Sequence, residues 1–129
     1  MTSRIEAELA LLRQHYALVD HLVAHAMYWF QVHGVKTPGG WSPGEISAVF
    51  AVTQGHPGAP PYGFFVPSEL NLSGKQPAEH QAPHQPPFAG SWRFLSWNAE
   101  GWHPTADLAT GSNLWGWVRT FAHRLREGV

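Results

Sequence analysis

The sequence contains no cysteine. That absence excludes a disulfide, a thiolate zinc site and a cysteine nucleophile together. No apolar run approaches the length of a membrane span, and the opening MTSRIEAELALL carries acids where a secretory signal would need an unbroken apolar stretch. The expectation is a cytoplasmic protein with no membrane partner. A surplus of charge is also missing. With 8 Lys and Arg against 9 Asp and Glu, the formal net charge of -1 gives no electrostatic ground for binding nucleic acid. No internal repeat is visible.

What the chain does have is aromatic rings and imidazoles: 7 Trp and 9 His in 129 residues, which predicts an aromatic-rich core or groove. The length suits a single domain over 1–129 with one core. Ser3 followed by Glu6 matches a capping box, and Ile5, Leu9, Leu12, Tyr16 and Val19 recur near helical spacing, so a helix opens the chain. From Met27 the texture changes. Tyr28, Phe30 and Val32 alternate with Trp29, Gln31 and His33, which reads as a strand ending at Gly34. KTPGGW supplies a turn, 46–52 a second strand and 62–66 a third.

Between the last two strands lies HPGAPPY. Pro57, Pro60 and Pro61 fix φ and remove donors, so this connection has a set path where Gly and Ser would give a loose one. Residues 67–90 are rich in Pro, Gln, His and Gly and read as a long loop without a packed face. SWRFLSW is strand-like, GWHPTADLATGSN is an irregular link, and Leu114, Trp117, Val118, Phe121 and Leu125 form one helical stripe. Arg119, Arg124 and Arg126 fall on the polar face of that final helix, suited to its negative end. The fold class expected is α+β, an antiparallel meander flanked by N-terminal and C-terminal helices.

This order resembles the ubiquitin-conjugating enzyme (UBC) superfamily, and more closely its divergent bacterial members in ubiquitin-like modification operons. FAVTQGHPGAPPYGFFV is similar to that family's strand, Tyr-Pro-x-x-Pro-Pro loop and following strand, with His56 where an aromatic usually stands and Tyr62 closing the loop. GWHPTADL resembles the family's Trp-x-Pro segment, and SRIEAELALL its amphipathic opening helix. The resemblance implies a UBC-like fold over most of the chain, a rigid proline corner beside the active-site groove, and a cis peptide at His56–Pro57. It also implies a place for the nucleophile among residues 93–98. Those are Arg, Phe, Leu, Ser, Trp and Asn, with no thiol, and the family's His-Pro-Asn signature has only His84-Gln85-Pro86 as a remnant.

Candidate site residues follow from chemistry and from that resemblance. Ser96 is an oxygen nucleophile only if a base activates it. His103 with Asp107 is a general-base pair if the carboxylate orients the ring; otherwise Asp107 caps a turn and His103 packs on an aromatic neighbour. His80 and His84 have a metal-binding spacing on a helix, but the Gln-Ala-Pro between them is not helical, so they read as solvated loop residues. The resemblance places Trp97, Asn98, Trp102 and His103 along a groove. Trp115 lies off the helical stripe and is either an interface anchor or partly buried under the long loop. The function expected is a non-catalytic UBC-like module that binds a ubiquitin-like protein or an activating enzyme, with no cofactor. The alternatives are an enzyme using His103 and Asp107 or Ser96, and a structural domain reusing the fold.

Overall fold

The computed structural model describes residues 2–129. Helix α1 (Ser3–His15) leads into strands β1 (Val19–Ala24), β2 (Met27–Lys36), β3 (Trp41–Ser42), β4 (Glu45–Thr53), β5 (Tyr62–Pro67), β6 (Asn71–Leu72) and β7 (Trp92–Asn98). Two short helices, α2 (Leu114–Arg119) and α3 (Phe121–Arg126), follow. Five strands form one antiparallel sheet in the order β1-β2-β4-β5-β7, and β3 pairs with β6 beside it. The class is α+β, with helices near both ends of the chain and an antiparallel meander between them, as expected.

Alternation along the strands makes two faces. Phe30, Val32, Phe50, Phe64, Val66 and Leu95 share one cluster with Ile5, Leu9 and Leu12 of α1 and with the stripe Leu114, Trp117, Val118, Phe121 and Leu125. Both helical segments therefore cover the same face. On the opposite face Trp29, Val49, Phe65 and Phe94 form a second, smaller cluster.

Several expectations need correction. The N-cap of α1 is Thr2, whose hydroxyl accepts the Ile5 N–H at 3.1 Å, so the cap lies one residue before Ser3. The helix stops at His15, and Val19 belongs to β1, an edge strand hidden from the helical spacing. β1 joins β2 through His25 and Ala26, with φ of 56° and 59°. A two-residue turn with both φ positive is usually written with Asn and Gly, and this one contains neither. The strand begun at Met27 also runs past Gly34 to Lys36, through a bulge between Val32 and Val35.

The final stripe is one face but two helices, divided at Thr120, whose hydroxyl donates to Trp117 O at 2.7 Å. Arg124 is buried instead of solvent-facing and donates to Gly128 O at 2.8 Å. The long loop does supply packing: Ala82 and Phe88 sit against the second cluster. The His56–Pro57 peptide is cis, as is Ser42–Pro43. No helix among the described residues is long and apolar enough to cross a membrane.

Candidate functional site

The proline corner is held by a buried carboxylate. Glu8 is fully buried on α1, and its Oε2 accepts from His56 Nε2 at 2.8 Å and from Arg4 Nε at 3.3 Å. Its other oxygen, Oε1, accepts the Leu114 N–H at 2.9 Å, at the start of α2. Arg4 continues outward, donating to Thr105 O at 2.5 Å and Ser112 O at 3.1 Å in the link before α2. One carboxylate thus joins the first helix, the proline corner and the first turn of α2. The remaining ring nitrogen of His56, Nδ1, is buried with no partner among the described residues.

Above this clasp, Trp102 Nε1 donates to Pro57 O at 3.0 Å and the Trp102 ring lies 5.9 Å from the His56 ring. That bond fixes the link against the proline corner. Trp97, at the end of β7, donates to Thr120 Oγ1 at 3.0 Å. Between these two half-buried indoles runs a groove of about 330 Å³ whose polar groups include Asn98, Glu100, Asn113 and His123. Indole walls with a polar margin can pack an apolar group and offer hydrogen bonds beside it.

The structure brings together Trp97, Asn98 and Trp102 of the expected groove. His103 is exposed and does not line it; its backbone N–H donates to Ser112 Oγ at 2.7 Å. Asp107 Oδ1 accepts the Ala109 N–H at 2.9 Å, so the carboxylate caps a turn and does not orient His103. Trp115 is half-buried, stacked on His15 of α1 at 3.6 Å with Arg119 4.8 Å from its ring, so its cover is α1 and not the long loop. Ser96 Oγ is hydrogen-bonded to Tyr62 OH. His80 Nδ1 faces Ser96 through the backbone N–H, at 3.4 Å. His84 lies flat on His25 instead of joining His80, and among the described residues no group of three or more His, Asp or Glu is placed to hold a metal ion.

Sequence reasoning missed three things. Glu8 interrupts the apolar stripe between Ile5 and Leu12, and a carboxylate on a buried helix face is the signal that marks it. His123 and Thr120 enter the groove from the polar side of the last helices, with no local sign. The third is a hydrogen-bonded chain on the second sheet face. Ser47 Oγ lies 2.8 Å from His33 Nδ1, and His33 Nε2 lies 2.8 Å from Asp20 Oδ2, which also accepts from Gln31 at 2.9 Å. The His33 hydrogen bond is the main cause holding the Asp20 carboxyl below its ordinary pKa. Comparison with family models, curated proteins and solved structures finds no match.

Proposed function

We propose that this chain is a cysteine-free UBC-like module that binds a ubiquitin-like protein, or the activating enzyme that charges one, in a bacterial modification or defence system. The observation that carries the reading is the condition of residues 93–98, where the resemblance puts the nucleophile. Phe94 and Leu95 are buried, Arg93 donates to Gln76, Ser96 Oγ is engaged by Tyr62, and Trp97 is tied to Thr120. The stretch is used for packing and for shaping the groove. Thioester transfer needs a group that attacks well and leaves well; thiolate does both, and a serine alkoxide leaves poorly. Ser96 is therefore no substitute for the absent thiol.

The test is incubation with an activating enzyme, ATP and a ubiquitin-like protein encoded in the same operon. A complex measurable by calorimetry is expected, with no covalent adduct on a denaturing gel. Asn98→Ala and His123→Ala, both exposed positions in the groove, are expected to weaken that complex. An adduct resistant to thiol reductants and cleaved by hydroxide would overturn the reading and assign an oxygen ester to Ser96.

A second reading, hydrolysis, is favoured by one observation, the Ser47–His33–Asp20 chain. Asp20 accepts from Nε2–H, which leaves the Nδ1 lone pair to accept the Ser47 hydroxyl, the arrangement of an activated serine. Labelling of Ser47 by a fluorophosphonate, abolished in Ser47→Ala and His33→Gln, would establish it. A protein inert to that probe would remove it.

A further inference from the structure

The second face of the sheet holds a cavity of about 220 Å³, distinct from the groove beside α2. Its floor is Trp29, Ala51, Phe65 and Phe94, its near wall the prolines 60 and 61, and its far wall the loop at Gln81, Pro83 and His84. The far wall is anchored at two points. His80 N–H donates to Phe94 O at 3.0 Å, and the His84 ring stacks on His25 at 4.5 Å with an interplanar angle of 5°. On the floor, Gly63 has φ of 70°, and a Cβ there would overlap the Phe94 ring. The absence of a side chain at 63 lets that ring lie across the strand.

The chemistry of the lining narrows the occupant. No Asp, Glu, Lys or Arg lines the cavity, so an ionised ligand would leave water without gaining a counter-charge. Apolar cavities of about 150 Å³ hold benzene, so this volume accommodates one or two fused rings. Thr53, Gln81 and His84, all exposed, are the polar side chains at its edge that remain available for a ligand, since the Tyr62 hydroxyl is already engaged by Ser96. The floor is aromatic and a few polar side chains stand at the edge, which are attributes of a small-molecule site.

We propose that this cavity binds an uncharged aromatic small molecule of one or two fused rings carrying one polar substituent. The rings lie among Trp29, Phe65 and Phe94, and the substituent meets Gln81 and His84. The site is independent of the groove and of any ubiquitin-like partner.

Methionine offers a readout in the unaltered protein. Met27 lines the cavity. In protein with isotope-labelled methionine methyl groups, titration with naphthol is expected to move the Met27 methyl resonance saturably, through the ring current. Naphthalene sulfonate, of similar ring size but charged, is expected to bind about tenfold more weakly or worse. Ala51→Leu fills the floor and is expected to weaken naphthol binding by about tenfold. Gln81→Ala, an exposed change that leaves the fold intact, is expected to weaken naphthol while leaving naphthalene unchanged. A Met27 resonance that stays in place up to the solubility limit of naphthol would overturn the proposal. So would equal binding of the sulfonate, or naphthol binding unaffected by Gln81→Ala.

Discussion

Replacing Glu8 with Ala removes a single carboxylate and disturbs three separate parts of the chain. Three hydrogen bonds end on that side chain: from Leu114 N at 2.9 Å, His56 Nε2 at 2.8 Å and Arg4 Nε at 3.3 Å. In Glu8→Ala the Leu114 N–H and both ring nitrogens of His56 are left without acceptor or donor inside the protein, and the half-buried Arg4 loses its counter-charge. Breaking a buried ion pair from one side costs about 3–5 kcal/mol, which is a large share of the roughly 5–15 kcal/mol that stabilises a domain of this size. Glu8→Gln keeps the shape and one acceptor oxygen, and its expected cost is about 1–3 kcal/mol. The assay is urea denaturation followed by tryptophan fluorescence. At a slope of about 1–3 kcal/mol per M, Glu8→Ala should lower the midpoint by at least about 1 M with an unchanged slope. Glu6→Ala, on the exposed side of the same helix, should stay within about 0.5 kcal/mol. A double-mutant cycle with His56→Ala should give a coupling of at least about 1 kcal/mol. If Glu8→Ala cost no more than Glu6→Ala, the clasp would be an ornament of the structure and the reasoning would fail.

Gly63→Ala should cost about 2–4 kcal/mol in the same assay, since it adds a left-handed residue and forces the Phe94 ring to move, whereas Gly34→Ala meets open space and should cost only the backbone part, about 1–2 kcal/mol. Ala26→Gly should raise the midpoint, because it relieves one of the two left-handed residues in the β1–β2 turn; an unchanged or lower midpoint would refute the strain argument. Trp117→Ala should cost about 3–5 kcal/mol and Trp115→Ala about 1 kcal/mol, since the first ring is buried in the main cluster and the second is a half-buried stack on His15; the reverse order would mean that the helix face is misassigned. For Asp20 the sign follows from a lowered folded-state pKa. Its contribution is present above the ordinary carboxylate pKa of about 4 and disappears as pH falls through the lower folded value. Asp20→Asn should therefore be less stable than the parent at neutral pH, by under about 1 kcal/mol because the carboxylate is 43% exposed, and the two should converge in acid.

Strands β2, β4, β5 and β7 were legible in the sequence, β2 from the alternation of Tyr28, Phe30 and Val32 with their neighbours, and the others from the apolar or aromatic runs at 46–52, 62–66 and SWRFLSW. β1 was not, because its identity depends on pairing with β2 through a turn whose residues, His25 and Ala26, are not turn formers. The helical stripe from Leu114 to Leu125 was readable as a buried face, but its division at Thr120 was not, since one hydroxyl binding one carbonyl leaves the spacing unchanged. Trp97, Asn98 and Trp102, which the family resemblance put along one groove, do line a common groove, while His103 does not. His123 arrives from a helix surface with no local mark. Sequence proximity suggested a pairing of His103 with Asp107, yet a carboxylate so near in the chain is more easily satisfied by the backbone of its own turn, as at Ala109. The Asp20–His33–Ser47 chain spans three strands, and no spacing in one dimension announces it.

The clasp at Glu8 also ties the completion of the domain to residues far apart in the chain. The acceptor is residue 8 and the donor that completes it is residue 114, a separation of 106 residues. At about 5–20 residues per second, a ribosome takes roughly 5–20 s to cover that distance. During that interval the Glu8 carboxylate has Arg4 and, once residue 56 is made, His56 as partners, but not the Leu114 N–H. Until then Oε1 is left to water, so the buried side of α1 is expected to seal only once residue 114 is in place. The group that joins three parts of the finished domain therefore receives its last partner late in synthesis.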